Sequence, residues 1–413
     1  MKILICGINF TPELTGIGKY TGEMAVYLAA QGHQVRVVTA PPYYPQWRLR
    51  QDYNGLQYRR DNIDGVEVYR CPLWVPRNPS GVKRLIHLGS YALSSIPSLL
   101  IQVKWRPDVV LSVAPALANA PFVLCLTRLT GAKAWLHIQD FEVDAAMSLG
   151  LLPADSIVMR AFSRFERWLL GRFDVVSTIS PRMMDRLLQK GVSSKQTQLL
   201  PNWVDTQKIY PVFGKENEFR KQLGISTDKV VALYSGNMGR KQGLEHLIAA
   251  ARQLQKRDDI LFVLCGEGAV KAELLTQARD LSNVRFLPLQ PEKRLNELLN
   301  MADIHLLPQQ ADVADLVMPS KLTGMMASGR PVIATALPKT QVSNVVTGSG
   351  IVVIPGDVSG LAEAIKRMVS RPDERHNFGK AAREYAENHF SKEKILAHFE
   401  KVLLEITGLG RTK

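Results

Sequence analysis

Residues 230–268 of this 413-residue chain read VVALYSGNMGRKQGLEHLIAAARQLQKRDDILFVLCGEG. The apolar runs at 230–235 and 260–265 are typical of buried strands, whereas the stretch 244–255 has the apolar spacing of a helix. A strand, a helix and a second strand in this order form the repeating unit of a parallel sheet with helices on its faces. This stretch therefore predicts an α/β fold.

The same alternation continues on both sides of that stretch. Further strands are predicted at 3–7, 35–39, 66–70, 109–113, 133–137, 175–180, 284–288, 304–307, 331–335 and 351–354. Further helices are predicted at 20–31, 82–104, 121–130, 156–170, 269–281, 294–301, 321–328, 358–369, 372–389 and 392–406. Because the chain is too long for one ordinary core, we expect two doubly wound, Rossmann-like domains.

The expected domain division follows the break in this alternation. The first domain comprises residues 1–203 and is rejoined by a C-terminal helix at 392–413, and the second comprises residues 204–391. Open parallel sheets bind ligands at the carboxyl ends of their strands. We therefore expect the two domains to face each other across a cleft that holds the ligands.

The composition narrows the choice of partners and compartment. The formal net charge of +14 favours phosphorylated ligands or an anionic membrane surface, and no recognisable nucleic-acid module supports nucleic acid as a partner. Four widely separated cysteines without a C-x-x-C pair argue against a disulfide framework or a zinc site. Since neither a signal peptide nor a bilayer-spanning apolar run is visible, we expect a cytoplasmic protein.

A glycine-rich segment follows the first predicted strand. Residues 16–22 read GIGKYTG, which invites comparison with a dinucleotide-binding fingerprint. The strand at 35–39, however, ends in Thr39, where a nicotinamide site needs an acidic residue for the ribose. The segment instead predicts that Gly16 and Gly18, at a loop before a helix, let backbone N–H groups approach an anion.

Longer motifs are more specific. They are PELTGIGKY at 12–20, PNWVD at 201–205, YSGNMGRKQGLE at 234–245, CGEG at 265–268, FLPL at 286–289, ADIHLLP at 302–308, PSKL at 319–322 and MASGRPVIAT at 326–335. Together they resemble the motifs of the retaining glycosyltransferases of group 1 (glycosyltransferase family 4), over nearly the whole chain. The resemblance implies the GT-B fold, with acceptor binding in the first domain, a nucleotide sugar in the second, and no cofactor.

The resemblance also implies which residues contact the donor. Besides Gly16 and Gly18 they are Asn237, Arg240, Lys241, Gly266, Glu267, Leu289, Pro319, Ser320, Lys321 and Leu322. Asn237 stands where the family has a basic residue and Gln242 where it has a lysine, so Lys241 and Arg240 are expected to supply the positive charge. The family's two glutamates of the E-x7-E pattern are replaced by Leu316 and Gly324.

The departing diphosphate needs fixed donors, which Lys321 and a helix starting at Ser320 would supply. Family members work without a metal ion. No D-x-D is present at the donor site, since Asp312 and Asp315 are spaced differently. We therefore expect a metal-independent transfer.

Candidate catalytic residues lie in the first half. Residues 137–144, HIQDFEVD, follow a predicted strand, and the family carries a histidine or an acid here against the reacting sugar. We expect Asp140 to contact the donor sugar or the acceptor hydroxyl, with His137 beside it. Glu13 ranks second as an acceptor contact. The alternative for 137–144 is a helix cap with surface charges.

The acceptor side is expected to involve Lys19 and three aromatic residues of a proline-rich loop. Tyr43, Tyr44 and Trp47 either stack on acceptor sugars or pack the loop. The segment 82–88 opens a long apolar stretch and carries basic residues, which occur again at 104–106. This stretch either lies on an anionic membrane surface or forms an ordinary buried helix.

Within the family, the resemblance is greatest to the fucosyltransferases of colanic acid biosynthesis, at residues 39–47, at 137–140 and at Leu322. It implies transfer of fucose from GDP-fucose to a lipid-linked saccharide of a bacterial exopolysaccharide or O-antigen, on the inner face of the cytoplasmic membrane. Transfer of UDP-linked N-acetyl sugars, a nucleotide-sugar epimerase and a non-catalytic saccharide- or membrane-binding protein remain open.

Overall fold

The chain divides into two compact units. The computed structural model describes residues 1–13, 16–77, 81–115, 117–142, 144, 157–214, 216–310 and 318–411. Unit 1 comprises residues 1–201 and 396–413, and unit 2 comprises residues 202–395. Asp312, Asp315, Leu316 and the first residue of the helix predicted at 156–170 lie outside the described residues.

Unit 1 contains a sheet whose described strands number eight. They are β1 (Lys2–Cys6), β2 (Gln34–Thr39), β3 (Arg59–Ile63), β4 (Val66–Arg70), β5 (Val109–Ala114), β6 (Lys133–Ile138), β7 (Val175–Thr178) and β8 (Thr197–Leu199), in the spatial order β3-β4-β2-β1-β5-β6-β7-β8. Every described pair is parallel except β3 with β4. These two form a hairpin through Asp64 and Gly65, both at positive φ, as a two-residue turn between twisted strands requires.

Helices cover both faces of this sheet. They are α1 (Ile17–Ala30), α2 (Gly81–Trp105), α3 (Ala120–Thr130), α4 (Ile157–Leu170), α5 (Pro181–Gln189) and α14 (Lys392–Thr407). Buried residues of α2, α3, α4 and α5 belong to one hydrophobic cluster, so these four helices pack on the same face. The C-terminal helix α14 is fixed to unit 1 because its Phe399 ring lies 5.0 Å from the Trp135 ring, and Glu400 contacts His33 at 2.8 Å.

Unit 2 contains a second sheet, with six described strands. They are β9 (Val230–Ser235), β10 (Ile260–Cys265), β11 (Val284–Leu287), β12 (Ile304–Leu307), β13 (Val332–Thr335) and β14 (Gly350–Val353), in the order β11-β10-β9-β12-β13-β14. All described pairs are parallel. The helices of unit 2 are α6 (Glu218–Gln222), α7 (Glu245–Gln253), α8 (Lys271–Gln277), α9 (Leu295–Met301), α10 (Ser320–Ala327), α11 (Gln341–Val346), α12 (Val358–Ser370) and α13 (Pro372–His389).

The predicted fold class is confirmed, since both units are parallel-sheet α/β domains of the Rossmann type. In each sheet the direction of chain progression reverses once, between β1 and β5 in unit 1 and between β9 and β12 in unit 2. Ligands of open α/β sheets bind beyond the carboxyl ends of the strands at such a reversal. The loops that follow β1 and β9 are therefore the expected ligand-binding loops of the two units.

The structure adds elements that the sequence pattern did not predict, namely β3, β8, α5, α6 and α11. It also shortens the helix predicted at 269–281 to Lys271–Gln277. Among the described helices, none has the length and apolar character that a bilayer span needs.

Candidate functional site

The carboxyl ends of β9 and β10 carry two loops whose backbones pack directly on each other. Gly236 N–H donates to the carbonyl of Cys265 at 2.9 Å, and Met238 N–H donates to the carbonyl of Glu267 at 2.8 Å. A Cβ added to Gly266 would lie 1.9 Å from the Gly236 oxygen, and one added to Gly268 would lie 2.3 Å from the Met238 oxygen. Only glycine fits at these two places, and both have positive φ.

The helix α10 begins beside these loops. Pro319 precedes its first residue, Ser320, which is exposed, and the next residue is Lys321. The first N–H groups of a helix have no partner within it and carry the positive end of its dipole. A lysine in this first turn adds a full positive charge, which is the combination that binds phosphate.

Lys321 is held against β9. Its Nζ donates to the Tyr234 hydroxyl at 3.3 Å and lies 4.4 Å from the centroid of the Tyr234 ring. The Tyr234 hydroxyl in turn donates to the carbonyl of Asn237 at 2.5 Å. Burial lowers the pKa of the Lys321 ammonium to about 7. The described contacts of the ammonium are a hydroxyl and an aromatic ring rather than a carboxylate, so an incoming anion would stabilise its charge strongly.

The loop after β9 holds the remaining predicted charges at its surface. Arg240 is exposed and pairs with Glu273 on α8 at 3.1 Å. Lys241 is exposed, and its carbonyl accepts from the Gln310 N–H at 3.2 Å. Gln242, which replaces the family's lysine, closes the loop by accepting from the Gly239 N–H at 3.1 Å. The structure therefore brings Lys321, rather than Arg240, closest to the glycine turn at Gly236, 3.7 Å from an ideal Cβ there.

The neighbouring predicted donor contacts are also exposed. Asn237 is exposed, and Glu267 pairs with Lys271 at 2.6 Å. Leu289 is 63% exposed in the loop after β11, whose Leu287 carbonyl accepts from Gly266 N–H at 3.0 Å. These residues border one edge of the unit 2 sheet, so a nucleoside contact by them stays a prediction.

Leu322 does not have an accessible side chain. It is fully buried in the core cluster around α10 and α13, and its backbone N–H donates to the Pro319 carbonyl at 3.0 Å. Since only the backbone of Leu322 is left for a ligand, its donor contact stays a prediction. Its side chain packs, and it holds the first turn of α10 in place.

In unit 1, Glu13 joins the loop after β1 to the loop after β2. Its Oε1 accepts from the N–H groups of Tyr43 at 3.1 Å and Tyr44 at 3.0 Å, and its Oε2 accepts from Asn9 Nδ2 at 3.0 Å. Burial raises the pKa of the Glu13 carboxyl, and these hydrogen bonds oppose that rise. Glu13 therefore has a positioning function between the two loops, and its contact with an acceptor hydroxyl stays a prediction.

The glycine loop packs on the same carboxyl group. A Cβ on Gly18 would lie 2.5 Å from the Glu13 Oε2, so Gly18 permits close packing of α1 on this side chain. Gly16 directly precedes α1 with φ of 66°, and a Cβ there would lie 3.4 Å from the Tyr44 ring. Lys19, in the first turn of α1, contacts Glu23 at 3.9 Å. An anion contact at this helix start stays a prediction for Gly16 and Lys19.

The aromatic loop contains one buried and two accessible rings. Tyr43 is only 5% exposed and packs edge-on against His87, with 4.7 Å between the ring centroids. This favours the alternative that Tyr43 packs the loop, and its stacking on acceptor sugars stays a prediction. Tyr44 is exposed, and Trp47 is partly exposed with the Arg84 guanidinium 5.4 Å from its ring. Stacking on a sugar ring therefore stays a prediction for Tyr44 and Trp47.

His137, at the end of β6, is a buried structural residue. It is 1% exposed, its Nδ1 is 2.9 Å from the Ser177 hydroxyl, and its Nε2 accepts from Gln139 Nε2 at 3.0 Å. Trp135 Nε1 donates to the same hydroxyl at 2.7 Å. Burial lowers the pKa of His137 to about 3, so the ring stays neutral at physiological pH. These partners give the ring a structural function, and its catalytic contact stays a prediction.

The three carboxylates after β6 differ in their surroundings. Asp140 is exposed, and it remains the predicted catalytic contact. Glu142 accepts from the Leu117 N–H at 2.7 Å, whereas Asp144 is buried and pairs with Arg186 and Lys190, each at 2.8 Å. Of these three carboxylates, Asp144 is therefore fixed by ion pairs and Glu142 is fixed by a backbone N–H group.

Sequence reasoning missed four residues that build these sites. Tyr234 orients Lys321, Gly268 admits the Met238 carbonyl, Asn9 contacts Glu13, and Gln139 holds His137. The glycine spacing in CGEG was the available signal for Gly268. The other three are polar or aromatic residues at strand ends, where no pattern in one sequence separates a site from a core.

Among the described residues, no group of three or more histidine, cysteine or acidic side chains could hold a metal ion.

Two family models and a closely similar sequence match this chain. The model of the glycosyl transferase 4-like domain matches residues 15–203, and that of glycosyl transferases group 1 matches residues 215–385. A putative colanic acid biosynthesis glycosyl transferase, WcaI of Escherichia coli strain K12, is 44% identical over 97% of this chain and 98% of its own length.

Solved structures show the same fold at lower identity. A sucrose-phosphate synthase from Thermosynechococcus elongatus aligns with 99% of this chain and 100% of its own, at a TM-score of 0.76 and 19% identity. WaaG, a glycosyltransferase involved in lipopolysaccharide biosynthesis, aligns with 98% of this chain and 100% of its own, at a TM-score of 0.68 and 18% identity. From the family models and the 44% relative together, the chain belongs to the group 1 family of glycosyltransferases and is itself a glycosyltransferase.

Proposed function

We propose that this glycosyltransferase moves fucose from GDP-fucose onto a lipid-linked saccharide during synthesis of a bacterial surface polysaccharide of the colanic acid type. Support for the pathway is the 44% identity to a relative whose name places it in colanic acid biosynthesis. The fucose donor rests on the sequence resemblance described above. The transfer retains the anomeric configuration and uses no metal ion.

The observation that carries the proposal is the position of Lys321 beside the glycine turn of unit 2. The Lys321 ammonium, the start of α10 and the backbone at Gly236 converge on the switch point between β9 and β12. Such fixed positive groups stabilise the charge that develops on a departing diphosphate, and this electrostatic contribution is usually the largest in catalysis. A saccharide-binding protein without catalysis would not need them.

The reaction needs few further protein groups. The bond between the anomeric carbon and the β-phosphate oxygen breaks, the diphosphate leaves with the electron pair, and an acceptor hydroxyl forms the new bond on the same face. The departing phosphate can take the proton of that hydroxyl, so a protein base is not obligatory. We assign Asp140 to orienting the reacting sugar or hydroxyl, since it is exposed after β6.

The acceptor is proposed to be anchored in the inner leaflet of the cytoplasmic membrane. The start of α2 carries Lys83 and Arg84 next to Val82, Leu85 and Ile86, all of them exposed. Basic residues beside exposed aliphatic ones are attracted to anionic lipid. This supports the membrane alternative for segment 82–88 over a fully buried helix.

A transfer assay tests the proposed function. Radiolabelled GDP-fucose and, in parallel, UDP-linked N-acetylglucosamine are incubated with membranes that contain the lipid-linked acceptor, with and without EDTA. We expect label from GDP-fucose in the lipid fraction, insensitive to EDTA and lost in Lys321→Met, whereas the exposed-lysine control Lys256→Met stays active. Transfer from the UDP sugar alone would contradict the fucose assignment, and transfer from neither would contradict the proposed acceptor.

A further inference from the structure

The outer surface of α4 in unit 1 carries large aromatic side chains exposed to solvent. Phe162, Phe165 and Trp168 are 49%, 44% and 50% exposed. They recur every third residue and thus form one stripe along the helix. The rings of Phe165 and Trp168 are stacked with centroids 5.9 Å apart. Three neighbouring exposed aromatic rings are unusual for a surface that meets only water.

A second stripe of α4 is positively charged. Arg160, Arg164 and Arg167 are all exposed and recur at helical spacing beside the aromatic stripe. Arg172 follows the helix and places its guanidinium 5.1 Å from the Trp168 ring. The helix turns Leu169 and Leu170, both fully buried, toward its own domain. The core therefore uses a third side of the helix, and both stripes are exposed in the part of the chain that the structure describes.

Among the residues that the structure describes, negative charge is sparse on this surface. The acidic residue described on α4, Glu166, is buried and pairs with Lys190 at 2.6 Å. The sequences of α2 and α3, which pack on the same face of the sheet, contain no aspartate or glutamate, whereas α5 on that face carries the exposed Asp185. Their outward sides add exposed Leu93, Leu100 and Leu129. The face thus combines apolar and basic side chains, as anionic lipid requires.

We infer that α4 is a membrane-docking helix whose aromatic stripe enters the interface of an anionic bilayer while its arginines contact lipid phosphates. Aromatic rings favour the headgroup region of bilayers, and arginine binds phosphate through several N–H groups at once. This inference rests on the proposed function, since a lipid-linked acceptor gives the enzyme a reason to reside at a membrane. It adds a contact separate from the start of α2.

Vesicle co-sedimentation of the full chain tests the inference. The probes are vesicles of phosphatidylcholine alone and of phosphatidylcholine with phosphatidylglycerol. The variants are Phe165→Ser/Trp168→Ser for the aromatic stripe and Arg160→Glu/Arg164→Glu for the basic stripe. Leu275→Ser and Lys256→Glu remove an exposed leucine and an exposed lysine from unit 2 and serve as matched controls.

We expect the wild type to sediment with the anionic vesicles and far less with the neutral ones. Reversing the arginines should weaken binding by at least about fivefold per residue, the factor that ~1 kcal/mol per basic residue corresponds to. The aromatic variant should weaken it about tenfold or more. Both controls should bind like the wild type.

Two results would overturn the inference. One is unchanged sedimentation of the α4 variants, and the other is a wild-type dimer, seen by sedimentation velocity, that the aromatic variant abolishes. The second would make the stripe an interface between two copies of the chain. Calorimetric GDP binding is measured on the same variants, and we expect it to be unchanged. Failure of docking with intact GDP binding would refute the docking helix and leave the proposed transferase function standing.

Discussion

The Nζ of Lys321 lies 3.3 Å from the hydroxyl oxygen of Tyr234 and 4.4 Å from the centroid of its ring, which joins the first turn of α10 to the central strand β9. The tyrosine hydroxyl is itself fixed on the carbonyl of Asn237. One buried cation is thereby aimed at the glycine turn that follows β9. This relationship lies within unit 2 and gives the proposed donor site its positive charge.

The first prediction concerns pH. Burial lowers the pKa of Lys321 to about 7, and a bound diphosphate should raise that pKa by favouring the charged form. Affinity for a nucleotide sugar, whose diphosphate ester does not titrate here, should fall about tenfold between about pH 6 and pH 8. Isothermal calorimetry at both pH values checks this. Equal pH dependence in Lys321→Met would assign the effect to another group.

The same shift has a consequence for stability. The pKa of Lys321 in the folded state, about 7, lies below the ordinary lysine value of 10.5, so the unfolded state binds more protons between these two pH values. Burying the charged ammonium therefore lowers the stability of the fold fully below about pH 7. This loss of stability disappears as the pH rises toward the pKa of Lys321 in the unfolded state. Lys321→Met should stabilise unit 2 more at about pH 6 than at about pH 9 in denaturant titrations.

The second prediction concerns the glycine contacts after β10. Gly266→Ala places a Cβ 1.9 Å from the Gly236 oxygen at positive φ, so the two loops must separate. We expect a loss of roughly 2 kcal/mol or more of stability together with loss of nucleotide binding. Gly324→Ala, within α10, is the control. The added Cβ would lie at an ordinary contact distance of 3.5 Å from the Leu299 side chain on α9. This variant should raise stability by about 0.5 kcal/mol and leave binding intact.

Much of this fold was predictable because buried parallel strands are apolar runs separated by amphipathic helices. The edge strand β3 was not, since Arg59, Arg60, Asp61 and Asn62 give it a charged, loop-like composition. Its signal was the Asp64-Gly65 pair, which favours a two-residue hairpin turn. Tertiary pairing with β4 decided the outcome there.

The candidate site was predictable in part. Gly266 and Lys321 could be named from the family resemblance, whose motifs keep a glycine where backbones pack closely and a lysine where a phosphate binds. The burial of His137 and its partners Ser177 and Gln139 could not be predicted, because a buried polar residue at a strand end has the same sequence pattern as an accessible one. Tyr234 was missed because a tyrosine in an apolar strand resembles core.

The third prediction concerns Glu13. Glu13→Ala leaves two backbone N–H groups and the Asn9 amide without their acceptor and should cost roughly 2–4 kcal/mol. Glu13→Gln keeps an acceptor for the backbone groups and can donate to the Asn9 side chain after a flip of that amide. Thermal unfolding of both variants, with soluble-acceptor transfer as a second readout, distinguishes positioning from direct acid–base catalysis. A large kcat loss in Glu13→Gln with unchanged stability would contradict the positioning function.

The raised pKa of Glu13 predicts how the stability difference between the wild type and Glu13→Gln changes with pH. Burial raises the pKa above its ordinary value of 4.5, so the protonated form is favoured in the folded state. The stability gained from the protonated form is fully present below the pKa that Glu13 has in the unfolded state. It is lost as the pH rises through the pKa of the folded state. The wild type should therefore lose stability relative to Glu13→Gln on going from acid to neutral pH.

The fourth prediction separates Asp140 from His137. Asp140→Asn should lower kcat by roughly 100-fold with donor affinity unchanged, whereas the exposed acid control Asp185→Asn should be silent. His137 is neutral at physiological pH, since its pKa is lowered to about 3, and it should contribute no limb to the pH–rate profile. Retained kcat in Asp140→Asn would remove Asp140 from the reaction.

Calorimetric titration of GDP and UDP into the wild type, Lys321→Met and Lys256→Met tests the central claim most directly. The account predicts that the wild type and Lys256→Met bind GDP, and that Lys321→Met loses at least about tenfold in affinity, as removal of a charge-assisted phosphate contact should. Preference for UDP would change the donor but keep the site. Undiminished nucleotide binding in Lys321→Met, or none in the wild type, would contradict a donor site built around Lys321.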